Sequence, residues 1–225
     1  MMEMSKLRIK FTPLQILVHL LAWGLVAWLA WDAWTGNLTV NPIQAAEQRT
    51  GKYALVLLVL SLACTPLNTL FGLRKALTVR RTLGLYAFMF AAMHFVIFIG
   101  IDYGFDWEFL RLDISNKRYI LVGATALTIL TLLAATSFKW WMKRLGKRWK
   151  ALHRLIYLAA PLVVLHYAWA RKGDIFRLQG DILQPLAFGV VVALLLLARL
   201  PALRRRAVRL RAHLQKRLAF VTAPR

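Results

Sequence analysis

The chain has 225 residues, 60% of them apolar, with a mean hydropathy of +0.55 and a formal net charge of +22. A soluble domain of this length has no need of several nearly charge-free segments of about 20 residues, so the composition excludes an ordinary globular enzyme and indicates an integral membrane protein. In a soluble chain 31 Lys and Arg against 9 Asp and Glu would suggest nucleic acid; here the placement of the charges decides.

Six stretches are long and apolar enough to cross a bilayer, at about 14–34, 52–72, 82–101, 119–138, 151–170 and 182–198. With a cytoplasmic N-terminus, segments 1–13, 73–81, 139–154 and 199–225 hold 23 Lys and Arg against Glu3 alone. The opposite side holds eight basic and eight acidic residues. This positive-inside pattern predicts an all-α membrane protein, a six-transmembrane-helix bundle with both termini cytoplasmic, in the bacterial inner membrane. Orientation and contact with anionic lipid account for the basic pI, and no nucleic-acid partner is expected.

In chain order, residues 1–13 form a basic arm and 14–198 the six-span domain. Thr12 and Pro13 start the first span, which carries His19 near the cytoplasmic surface and Trp31 and Trp34 at the outer interface. Gly36, Asn37, Asn41 and Pro42 mark a polar loop, within which residues 41–51 suit a short surface helix. Pro66 is expected to kink or end the second span near its cytoplasmic side. A loop over 73–81 leads to the third span and His94, in the outer half of the bilayer. The acidic stretch from Asp102 to Arg118 reads as an external loop, a natural docking place for a periplasmic partner. The fourth span has Thr and Ser but no charge, and a basic loop around Trp140 and Trp141 delivers the chain to the fifth, which carries His153 and His166. Residues 199–225 form a basic amphipathic tail containing His213, expected along the inner surface. Cys64 is the sole cysteine and sits in a span, so no intrachain disulfide forms. No cleavable signal peptide, internal repeat, phosphate-cradling glycine loop or soluble nicotinamide domain is evident.

Imidazoles inside a membrane are costly without partners, so each is a functional candidate. His94 and His166 stand at matching depth on spans running in the same direction, which suits two axial ligands of one haem. His153 lies thirteen residues before His166, roughly 20 Å along a helix. Its level on the third span corresponds to Arg80 or Arg81, and the histidine nearest in depth is His19, so a second, inner haem between His19 and His153 is a candidate. Arg154, Arg171 and Lys172 are placed to meet haem propionates.

The words RRTLGLYAFMFAAMHF, DISNKRYILVG, LLAATS and MKRLGKRWKALHRLIYLAAPLVVLHY resemble the MsrQ (formerly YedZ) family, haem-binding membrane subunits of the periplasmic methionine sulfoxide reductase system, within the ferric-reductase-like transmembrane group. The resemblance covers about residues 12–198. It implies one or two b haems and FMN as cofactors. It also implies electrons from the quinone pool or a cytoplasmic flavin reductase, and delivery to a periplasmic molybdopterin-containing methionine sulfoxide reductase subunit. By those motifs His94 and His166 match the axial ligands, His153 a third haem-associated histidine, and His19 a histidine of the first span. The wider group pairs two histidines on each of helices three and five, whereas this chain has only His94 on helix three. The expected function is therefore transmembrane electron transfer without a substrate-reducing domain of its own. Its rivals are a stand-alone ferric or quinone reductase and a scaffold whose histidines are structural.

Overall fold

A computed structural model of the chain describes residues 11–171, 181–206, 208, 209 and 211. Most of the basic N-terminal arm, Lys172, Arg177 and most of the tail, with His213, lie outside the described residues.

The described residues are helical, with five helices long and apolar enough to cross a membrane and a shorter sixth apolar one. Helix α1 (Pro13–Trp34) begins in a capping box: the Gln15 N–H donates to Thr12 Oγ1 and the Thr12 N–H to Gln15 Oε1. Helix α2 (Pro42–Phe71) is 30 residues long. Residues 42–51 are its first turns and not a separate surface helix, because Asn41 caps the start, Pro42 sits in the first turn and Thr50 bonds back to the Ala46 carbonyl.

Nor does α2 end at Pro66. Proline removes the N–H that would have donated to the carbonyl four residues earlier, here Leu62. Arg199, just beyond the last apolar helix, supplies the missing donor: its Nη2 lies 2.6 Å from the Leu62 carbonyl. The helix continues to Phe71 and stops at Gly72, whose φ of +74° is the left-handed C-terminal cap. Helix α3 (Arg74–Val96) follows at once, so the expected loop over 73–81 is mostly helix. It opens into a π-helical turn over Ile97–Asp102.

The stretch between Asp102 and Arg118 contains helix α4 (Trp107–Asn116), begun by the Asp106 side chain accepting from the Glu108 and Phe109 N–H groups. Helix α5 (Arg118–Ala135) follows. The basic connection is two short helices, α6 (Lys139–Leu145) and α7 (Lys147–Leu152), hinged at Gly146 with φ +51°. A 3-10 turn, His153–Leu155, joins α7 to α8 (Ile156–Ala170), and α9 (Leu183–Leu197) completes the bundle.

The closest packed pairs are α2 with α3 and α5 with α8. Contacts of α3 with α5 and of α2 with α8 join the two pairs, while α1 leans on α3 and α9 on α8. Ala87, Phe90, Ala159 and Ala160 are all but inaccessible at the centre. Three of these four residues are alanines, and small residues favour close helix packing in lipid.

Candidate functional site

His94 lies near the end of α3 and His166 near the end of α8, both far from the basic connections. The two rings face each other across the bundle with centroids 6.0 Å apart and planes at 77°. Each imidazole is held the same way. His94 Nδ1 lies 2.9 Å from the Glu47 carbonyl on α2, and His166 Nδ1 lies 2.8 Å from the Tyr119 carbonyl on α5. A carbonyl only accepts, so both rings carry their proton on Nδ1, and Nε2 keeps a free lone pair. Among the described residues neither Nε2 has a hydrogen-bond partner.

A glycine stands under each ring. A Cβ added at Gly51 would sit 3.4 Å from His94 Nδ1, and one at Gly123 would sit 2.6 Å from His166 Nδ1. The Tyr119 ring lies 6.0 Å from that of His166, and Glu47 Oε1 is buried with no partner among the described residues. An iron bound by two imidazole nitrogens at about 2 Å each would set the ring centroids roughly 6 Å apart. The residues present therefore fit two axial ligands of a haem. They do not fit a protein-only metal centre: among the described residues no three His, Cys, Asp or Glu converge on one point.

The likeness of the two halves extends beyond the site. Glu47 and His94 are 47 residues apart, as are Tyr119 and His166. Moving by 72 residues takes 47 to 119, Gly51 to Gly123 and His94 to His166. The same step takes Ala54 to Ala126, Leu58 to Leu130 and Ala87 to Ala159, all six of them buried. The pairs α2–α3 and α5–α8 thus repeat a 72-residue register at these positions. Its signal is a few small and apolar core positions among residues that otherwise differ, which is why the glycines and carbonyls of the site escaped sequence reading.

The inner histidines are not joined in this way. His19 Nδ1 lies 2.6 Å from the Tyr86 hydroxyl of α3, with Phe11 edge-on to its ring. His153 Nε2 lies 3.2 Å from Thr136 Oγ1 at the end of α5, and the Trp149 ring stacks on it at 4.1 Å. No ring contact links His19 to His153 among the described residues. Arg154 is exposed beside His153. Arg171 pairs with Asp181 at 3.3 Å, leans on the Tyr167 ring and lines an outer cleft of about 240 Å³ with Arg49, Lys52 and Gln44.

Outside the spans, Asp113 accepts hydrogen bonds from Tyr103 and Lys117 and ties α4 to the π-helical turn. Lys117, then Tyr103, holds the Asp113 carboxyl below the usual carboxylate range. Burial first, then the bond to Asp113, pushes the Tyr103 phenol up to about 12.

Comparison with known proteins gives one family match, the ferric reductase like transmembrane component, over residues 49–164. That range runs from two residues after Glu47 to two residues before His166. The chain is 44% identical over 173 residues to a protein-methionine-sulfoxide reductase heme-binding subunit MsrQ of Rhodospirillum rubrum, covering 76% of this chain and 80% of the relative. It is 40% identical over 159 residues to a protein of the same description from Caulobacter vibrioides, covering 70% and 76%. A third, from Xanthomonas campestris pv. campestris, is 37% identical over 199 residues, covering 86% and 88%.

Proposed function

Since the chain belongs to the MsrQ family of protein-methionine-sulfoxide reductase heme-binding subunits, we propose that it carries electrons outward across the membrane through a b haem held between His94 and His166. It is a multi-pass protein of the bacterial inner membrane. The observation that carries the reading is the pair of imidazoles 6.0 Å apart, each with its Nδ1 proton committed to a backbone carbonyl and its Nε2 left for iron.

Bound there, a b haem supplies a one-electron redox centre that changes oxidation state with little ligand rearrangement. The protein's own contribution is ligation, spacing and dielectric. Glu47 and Tyr119 fix the tautomer of each ligand, and Phe90, Ala87, Ala159 and Ala160 exclude water on the inner side. The charge asymmetry supports six spans with both termini cytoplasmic. His94 and His166 then stand nearer the periplasm, below the acidic helix α4, which is the docking face for a periplasmic molybdopterin-containing methionine sulfoxide reductase subunit. That partner would take two electrons and two protons per sulfoxide reduced to thioether and water. A quinol or a cytoplasmic flavin reductase is the donor at the basic face. The quinone, FMN and partner assignments rest on the family resemblance.

The test is spectroscopic. Purified protein should show a Soret band and a low-spin bis-imidazole ferric signal. The 77° between ring planes leaves the iron orbitals near-degenerate, so one g value should be large. H94A and H166A should each abolish that signal, whereas H19A should leave it. Haem counted per chain in H19A and H153A reads whether an inner haem exists. Protein without haem after haem supplementation would refute the reading.

A further inference from the structure

This inference rests on the assignment of His94 and His166 as haem ligands and concerns what sets their properties. We infer that Gly51 and Gly123 are positioning residues for the histidine pair, each opening a notch through which an imidazole reaches a helix carbonyl that sets its basicity. In a regular α-helix the carbonyl of residue 47 accepts from the N–H of residue 51, and that of 119 from the N–H of 123. A ring that donates to such a carbonyl adds a second bond to one already made, and it must lie flat along the backbone to do so. A side chain four residues on normally blocks that approach. Gly123 in α5 removes that block; at Gly51 in α2 a methyl would reach ordinary contact with His94, and only a larger side chain would crowd it.

The arrangement occurs twice, at equivalent places in the repeat, with bond lengths of 2.9 and 2.8 Å. Most other positions differ between the halves, yet carbonyl, glycine and histidine keep their spacing. A carbonyl accepting from Nδ1–H raises electron density at Nε2, strengthens its bond to iron and favours the ferric state. The notch therefore holds the site at a lower reduction potential than the same two histidines would have unaided.

The two halves are not equally tight, and this gives the test its grading. At Gly123 a methyl would sit 2.6 Å from His166 Nδ1 and 2.7 Å from Cε1, so the ring must move and its bond to the Tyr119 carbonyl must break. At Gly51 the nearest approach is 3.4 Å, which a small shift of His94 absorbs. Gly24 on α1 has no atom within 4 Å of an added Cβ and serves as control.

The experiment is a redox titration of the full-length protein in detergent or nanodiscs, with haem content and the ferric spectrum read on the same samples. Gly123→Ala is expected to weaken haem retention by about 10–100-fold, the usual effect of losing a ligand's outer partner. Haem that remains should have a raised midpoint potential and an altered low-spin signal. Gly51→Ala should keep its haem with a smaller shift in the same direction, and Gly24→Ala should match wild type. A Gly123→Ala protein with unchanged haem content, potential and spectrum overturns the inference, as does an equal shift in Gly24→Ala. If Gly123→Ala does not accumulate, Gly51→Val carries the test, because its methyls reach past the 3.4 Å contact into the His94 ring, and an unchanged potential there overturns the inference. Failure of the haem assignment itself is read earlier, as wild-type protein that binds no haem or whose haem signal survives H94A and H166A.

Discussion

Replacing Arg199 tests how this bundle tolerates a proline inside its longest helix. Pro66 leaves the Leu62 carbonyl without its helical donor, and Leu62 is 2% exposed, so water does not readily substitute. Arg199 Nη2, at 2.6 Å, is the replacement, and the same guanidinium leans on the Tyr157 ring 5.5 Å away. Orphaning a buried carbonyl costs about 1–3 kcal/mol. Hydrogen bonds measured in membranes average nearer 0.6 kcal/mol, which sets a floor. R199M keeps much of the aliphatic stem and removes only the donor, so its expected cost is about 1–2 kcal/mol. Pro66→Ala restores an N–H to Leu62, so in that background R199M should cost only the residual contact with Tyr157. The coupling in the double-mutant cycle is then about 1 kcal/mol. Reversible unfolding in mixed micelles or bicelles measures all four corners. An equal cost of R199M in both backgrounds would show that the carbonyl never depended on the arginine, and the account of the uninterrupted helix would fail.

Two further predictions concern the outer face. The folded pKa of Asp113 lies below the ordinary carboxylate value, so its contribution to the order of residues 102–118 is present above about pH 4 and is lost as pH falls through the depressed value. The folded pKa of Tyr103 is raised, so its contribution is present below about pH 10 and is lost as pH climbs toward about 12. Phenolate absorbance should therefore find one tyrosine titrating near 12, D113N should bring it closer to 10, and a wild-type value of 10 would contradict the geometry. The second prediction concerns Arg49, which pairs with Asp32 and ties α2 to α1, with the Asp32 side chain only 12% exposed. R49L should destabilise the protein by about 1–3 kcal/mol, less than a fully buried pair because the Arg49 side chain is one-third exposed. D32N should recover much of this, which the same unfolding assay reads.

The helices were legible because lipid imposes a length and a polarity that each span satisfies alone. That the His94 and His166 rings come within 6.0 Å of each other was legible because the two stand at equal depth. What escaped depends on contacts between distant segments. Nothing local to Pro66 announces that a side chain from beyond α9 will complete its helix. Nothing local to residues 41–51 says that they continue α2, which is what brings the Glu47 carbonyl and Gly51 beneath His94. Residues 73–81 and 107–116 read as loops because their charges outweigh a helical period that neighbouring helices stabilise.

The repeat explains why the outer site was easier to read than the inner one. A step of 72 residues back from His166 arrives at His94, but the same step back from His153 arrives at Arg81. The two counterparts flank one end of α5: His153 bonds to Thr136, and the Arg81 guanidinium lies 5.9 Å over the Phe138 ring. At the outer level the duplication presents one histidine from each half to a shared centre. At the inner level it presents a histidine and a permanently charged guanidinium, which cannot ligate iron. Symmetry that completes the outer pair therefore cannot supply an axial partner for His153. Haem bound there must find its second ligand outside the α3–α8 pair, or do without one. His19 reaches α3 but spends its Nδ1 on Tyr86. Only its Nε2 is left for such a role, which makes haem stoichiometry in H19A and H153A the measurement that separates the two levels.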